Sequence, residues 1–142
     1  MTPTRFVADA SIAIGWVHPG QATPETQAML AAIAAGAVCE VPAIWPLEVA
    51  NALLVLRRRG RITERERRKA AEHLQALPYL IDMESPAMAF ADLSVLAAKH
   101  GLSVYDAAYL ELALRRGLPL GCKDGPLLAA ARKARVPLWP VN

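Results

Sequence analysis

The chain predicts an α/β fold: a mostly parallel central sheet with helices on both faces. Three observations point there. Short apolar segments bounded by Gly, Pro or acidic residues alternate with longer stretches at helical spacing. Several of the longer stretches are rich in alanine, which lets helices pack closely on a sheet. With 142 residues, 54% of them hydrophobic, residues 1–142 form one domain with a substantial core and leave no room for a second.

In chain order, the strand-like segments are Arg5 to Ala8, Ala37 to Val41, Tyr79 to Met83, Pro119 to Cys122 and Leu138 to Val141, about five in all. The helical stretches run Thr23 to Ala35, Pro46 to Arg59, Thr63 to Ala76, Pro86 to His100, Ser103 to Arg116 and Gly125 to Arg135. Their ends carry recognisable signals. Pro46 suits a first turn, and Gly60 suits a stop after three arginines that complement the helix dipole. Thr63 with Glu66 three residues on forms a capping box. His18 to Gln21 is expected to be a loop, and the chain contains neither an internal repeat nor a low-complexity linker.

The net charge is only +3, but eight of the 16 basic residues fall between Arg57 and Lys69. Cys39 and Cys122 sit in apolar surroundings without CxxC spacing, so buried thiols are expected rather than a zinc site or a disulfide. No signal-peptide pattern opens the chain, and no stretch approaches the roughly 18 apolar residues of a membrane span. A cytoplasmic protein without a membrane partner is the expectation.

Asp9, Glu48, Asp106 and Asp124 each lie inside an otherwise apolar stretch, and only Asp124 has a basic residue beside it. A carboxylate on a core-forming segment is either desolvated at a cost of several kcal/mol or faces a cleft where a cation meets it. Asp9 ends a strand and Asp124 follows one, at the sheet edge where open α/β folds bind ligands; Glu48 and Asp106 fall in first helical turns. Oxygen ligands without His or Cys favour Mg²⁺ or Mn²⁺ over zinc, which suggests a metal-dependent hydrolase. Taken singly, each acid has a structural explanation. Asp9 and Asp124 suit N-caps, Ser103 with Asp106 resembles a capping box, and Glu48 answers a helix dipole. Four such acids together favour a site.

These residues resemble the motifs of the PIN-domain ribonucleases, most closely the VapC-like toxins of type II toxin-antitoxin systems. Val7-Ala8-Asp9-Ala10-Ser11, with Trp16 near the end of the following helix, is similar to the first acidic motif. Trp45-Pro46-Leu47-Glu48-Val49-Ala50-Asn51-Ala52-Leu53 resembles the second, Leu102-Ser103-Val104-Tyr105-Asp106-Ala107-Ala108-Tyr109-Leu110 the third and Cys122-Lys123-Asp124-Gly125-Pro126-Leu127 the fourth. The motifs occur in order over nearly the whole chain. One departure stands out: the family often carries Thr or Ser two residues before the fourth acid, and Cys122 takes that place here with a weaker hydrogen-bonding group.

The resemblance implies a three-layer α/β/α fold and an endoribonuclease in which Asp9, Glu48, Asp106 and Asp124 hold one or two Mg²⁺ or Mn²⁺ ions and a metal-activated water hydrolyses RNA phosphodiesters. Ser11 and Asn51 are supporting candidates, equally compatible with a local cap and a surface amide. His18, His73 and His100 lie outside the motifs, with His73 and His100 expected on exposed helix positions. RNA contacts are expected from Arg57, Arg58, Arg59 and Arg61, with Arg115 and Arg116 as further candidates. A cognate antitoxin is the implied partner, and homodimers through helical surface, from 49–56 or 89–98, are implied as well. The alternative is a PIN-like module that binds RNA or protein with little catalysis.

Overall fold

The computed structural model describes residues 2–123 and 125–140, so Asp124 and Val141 lie outside the described residues. Four parallel strands, β1 (Arg5–Ala8), β2 (Val38–Pro42), β3 (Tyr79–Asp82) and β4 (Leu120–Gly121), form one sheet in the order β3-β2-β1-β4. Helices α1 (Ala10–Val17) and α2 (Pro24–Ala34) join β1 to β2, and α3 (Trp45–Arg58) and α4 (Glu64–Gln75) join β2 to β3. The chain then returns through α5 (Asp92–His100) and α6 (Val104–Arg116) to β4 and ends with α7 (Pro126–Lys133).

Strand order and crossover handedness together assign the layers. Two crossovers step outward from β1 to β3, and one steps back past β2 and β1 to β4. Right-handed connections therefore put α1 to α4 on one face and α5 to α7 on the other. Packing agrees: α1 contacts α2, α3 and α4, while α6 lies against β1, β2 and β4 and between α5 and α7. The core between these layers includes Phe6, Met29, Tyr109, Leu110, Leu112 and Leu120, all at most 1% exposed. Among the described residues no helix is long and apolar enough to cross a membrane.

Several expectations change in detail. The fifth strand reduces to one parallel bridge between Leu120 and Leu138, because the two-residue β4 offers little backbone to pair with. Pro86 to His100 is not one helix. A 3-10 turn at Ser85–Met88 is cut off from α5 by Ala91, which leaves helical geometry at φ −117° and ψ −99°. The loop at His18 to Gln21 contains a 3-10 turn, Pro19–Gln21. Helix α1 adds an element that apolar spacing does not mark, since Ile12, Ala13, Ile14 and Gly15 are all buried and no polar stripe remains. The Thr63–Glu66 capping box forms as expected.

Gly15 sets the approach of α1 to α2. A Cβ there would lie 2.6 Å from Thr26 Cγ2 and 2.9 Å from the Gln21 carbonyl oxygen, and that backbone atom has little freedom to retreat. Gly15→Ala is therefore expected to destabilise the fold by about 1–3 kcal/mol, the usual cost of overpacking. Urea unfolding followed by circular dichroism checks this; an unchanged midpoint contradicts it.

Candidate active site

The sheet reverses its direction of growth at β1, which pairs with β2 on one side and β4 on the other. Such a switch point leaves a crevice at the carboxyl ends of the two central strands. Asp9 stands there. Its N–H donates to the Gly121 carbonyl at 3.1 Å, continuing the β1–β4 ladder for one residue, and its Oδ1 caps α1 by accepting the Ile12 N–H at 3.1 Å. The Ser11 hydroxyl donates to the same Oδ1 at 2.7 Å.

Glu48 comes from the first turn of α3, and its Oε1 accepts a 2.7 Å hydrogen bond from the Tyr109 hydroxyl of α6. Asp106 lies one turn before Tyr109 on α6, so the two share a helix face. Ser103 accepts the Asp106 N–H at 3.0 Å, but among the described hydrogen bonds the Asp106 carboxylate does not return the bond to the cap. The capping-box explanation of Asp106 thus describes Ser103 alone. Tyr109 falls within the third motif, but the sequence assigns it no role, because a buried aromatic residue three positions after Asp106 is concealed among core positions.

The three described acids sense one another. Burial pushes the Asp9 carboxyl up from 3.8 to about 6, its two hydrogen bonds oppose the rise, and Asp106 and Glu48 add repulsion. Glu48 is raised first by burial and further by Asp106, with the Tyr109 bond acting the other way. Asp106 is raised by burial. Burial and the bond to Glu48 push the Tyr109 hydroxyl well above its usual range, so it remains a donor. Among the described residues, no lysine or arginine pairs with any of the three acids.

Glu40 provides an internal contrast. It is 5% exposed on β2, another acid in an apolar stretch, yet Arg5 and Arg116 each approach it to 3.2 Å. A buried acid with a structural role is neutralised in this fold, whereas the three acids at the crevice are not. Their oxygen donors suit a hard divalent ion. Among the described residues, no three acidic, His or Cys side chains are close enough to hold an ion unaided. A Mg²⁺ ion needs no such cage, because it commonly uses one or two carboxylates and completes its octahedron with water and substrate phosphate.

The remaining expected residues fall in different surroundings. Asn51 is exposed on α3 and, among the described residues, makes no hydrogen bond to the acids, which fits the surface-amide alternative, while Ser11 bonds Asp9. Arg57, Arg58, Arg59 and Arg61 are exposed. Arg115 is instead held by Asp82, Glu84 and Glu111, and Arg116 by Glu40, so both contribute to acidic pairs instead of a free basic face. His73 is exposed as expected, but His100 is half-buried where α5 packs on α6, and its Nδ1 lacks a hydrogen-bond partner. Cys39 is buried and Cys122 half-buried, and no disulfide joins them.

The raised folded-state pKa at Asp9 adds stability that is complete below about pH 4 and lost as pH rises through about 6. In metal-free protein at pH 8, Asp9→Asn should therefore raise stability by about 1–3 kcal/mol while retaining the cap, and flatten the loss between pH 4 and 6. Denaturant titrations over that range test it; equal destabilisation at every pH contradicts it. Tyr109→Phe should cost about 1 kcal/mol and raise the Glu48 pKa further, measurable by carboxyl NMR titration.

Known proteins resemble this architecture. No family model matches the chain. Ribonuclease VapC3 of Pyrobaculum aerophilum is 41% identical over 70 residues, 49% of this chain and 53% of the relative. The chain thus spans about half the length of the curated relative it matches. Among solved structures, PAE2754 from Pyrobaculum aerophilum superposes with a TM-score of 0.63 at 22% identity, covering 92% of this chain and 87% of that one. FitAcB from Neisseria gonorrhoeae superposes with a TM-score of 0.59 at 18% identity, covering 96% and 99%. The strand order and these whole-chain likenesses give the chain a PIN-like α/β/α fold, and about half of it is similar in sequence to Ribonuclease VapC3.

Proposed function

We propose that this protein is a metal-dependent endoribonuclease of the toxin type, restrained by a cognate antitoxin. The observation that carries this reading is the cluster of Asp9, Glu48 and Asp106, which repel one another at the switch-point crevice without a paired cation among the described residues. The sequence match to a ribonuclease supports the choice of chemistry. Asp9, Glu48 and Asp106, with Asp124 as a fourth donor, would hold one or two Mg²⁺ or Mn²⁺ ions. When bound, the metal supplies an acidified water and positive charge at a phosphate. The chain's own groups hold the donors: Ser11 and the Ile12 N–H fix Asp9, and Tyr109 fixes Glu48. None of the three histidines is needed as a base.

Helix α3 relates the acids to the basic face. Arg59, eleven positions after Glu48, returns to nearly the same side of the helix about 16 Å along the axis, so a strand with its scissile phosphate at Glu48 can extend to Arg59 and on toward Arg61, while Arg57, two and a half turns from Glu48, lies on the far side of the helix. Around the acids, Leu47 and Tyr105 are 68% and 59% exposed. An apolar rim around an anionic centre suits an antitoxin segment carrying apolar and basic side chains. For a homodimer, Val49 and Leu53 are buried in α3, so the exposed apolar surface comes from Phe90 and Val95, with Leu80 and Met83 nearby in sequence.

Incubating antitoxin-free protein with single-stranded RNA is expected to give cleavage with Mg²⁺ or Mn²⁺ and none with EDTA, while matched DNA stays intact. Asp106→Asn should lower the rate at least ~100-fold, beyond the 10–100-fold typical of losing a residue that merely supports a ligand. Cleavage that survives both EDTA and Asp106→Asn refutes the metal site; RNA binding without cleavage favours the binding-module alternative. Replacing Arg59 and Arg61 by Gln should reduce the salt dependence of RNA binding by about 0.7 in log–log slope for each phosphate no longer neutralised.

A further inference from the structure

At the outer edge of β4, a cleft of about 410 Å³ opens between α2, α7 and the segment from Leu138 to Pro140. Met29 and Leu120, both fully buried, line its depth, and half-buried Leu128 and Trp139 line its walls. Among the described residues that line it, Lys123 and Arg132 bring two positive charges against the one negative charge of Glu25. Neither is held by a carboxylate among the described residues: Lys123 Nζ reaches only the Gln21 amide oxygen at 3.5 Å, and Arg132 lies exposed on the last turn of α7.

We propose that this cleft binds a nucleotide of the RNA strand beside the scissile phosphate, with the base between the apolar walls and its phosphate at Lys123 and Arg132. The inference rests on the ribonuclease reading and adds a substrate-positioning site to it. Its first support is location. Gly121 and Ile12 both line the cleft; the Asp9 N–H donates to the Gly121 carbonyl, and Asp9 Oδ1 caps the helix that carries Ile12, so the cleft shares its backbone with the strand end that bears Asp9.

The second support is chemistry. A nucleotide pairs a flat apolar face with an anion, and single-stranded nucleic acid is held by aromatic surfaces beside basic groups. Trp139 is steadied for that use by Phe6, with ring centroids 5.1 Å apart, and by its backbone N–H donating to the Leu120 carbonyl. The volume lies within the range of small-ligand clefts.

The test titrates the whole, metal-free protein with the four nucleoside 5′-monophosphates and, separately, with inorganic phosphate, following the amides of Leu128 and Arg132 and the Trp139 indole by NMR. At least one nucleotide should give saturable shifts there that inorganic phosphate does not reproduce. Arg132→Glu, and Leu128→Trp as an uncharged filling of the cleft, should each weaken binding roughly fivefold or more, the lower end of a stacking contribution. Thermal melts confirm that both variants fold. In RNA cleavage, the same variants should raise KM by a similar factor with kcat within about twofold. Metal-dependent cleavage without cleft shifts and with unchanged KM overturns the cleft while leaving the ribonuclease reading intact. Nucleotide shifts at the cleft without cleavage under any metal condition overturn the ribonuclease reading and retain the cleft as a nucleotide site. Equal shifts with inorganic phosphate reduce it to an anion contact and overturn the proposal.

Discussion

Asp9 ties backbone pairing, helix initiation and site charge to a single residue. Its N–H extends the β1–β4 ladder, its Oδ1 starts α1, and its charge stands at the crevice between the two directions in which the sheet grows. Moving it by one position would misalign the strand, lose the cap and take the carboxylate away from Glu48 and Asp106. The backbone bonds that hold it therefore also orient the site, which is the condition for side chains to be in place before a ligand arrives.

The electrostatics follow from that placement. Asp9, Glu48 and Asp106 arrive from a strand end and two helices, and burial raises all three pKa values. The fold keeps that unfavourable concentration of charge while neutralising Glu40 with two arginines and Asp82 with another. The arginines are thus distributed selectively. Hydrogen bonds from Ser11 and Tyr109 orient Asp9 and Glu48 without supplying positive charge.

Several features were legible because they depend on nearby residues. The capping box at Thr63 and Glu66 needs only four consecutive positions, and the parallel sheet follows from alternating strand and helix patterns. Other features were hidden for specific reasons. Ala91 breaks the stretch before α5 without a Gly or Pro to mark it, and Ser94 stabilises the junction by donating to the Ala89 carbonyl at 2.6 Å. Arg115 and Arg116 looked like surface charges because Asp82, Glu84 and Glu40 lie more than 30 residues away along the chain. Tyr109 lies in the third motif without a readable role, because it is a core aromatic residue whose hydroxyl reaches Glu48 from 61 residues away.

By itself, the sequence determined the α/β class, the strand ending at Asp9, the main helices with their caps, and the presence of acids in apolar segments that demand a counter-charge. Those properties are written in local periodicity, turn chemistry and side-chain type. Only the tertiary structure decided which acids repel one another, which are neutralised by distant arginines, that Tyr109 holds Glu48, and that a cationic, apolar cleft opens beside β4. Each of these depends on residues far apart in the chain being brought within a few ångströms by strand order, and composition and spacing do not encode that proximity in a directly readable form.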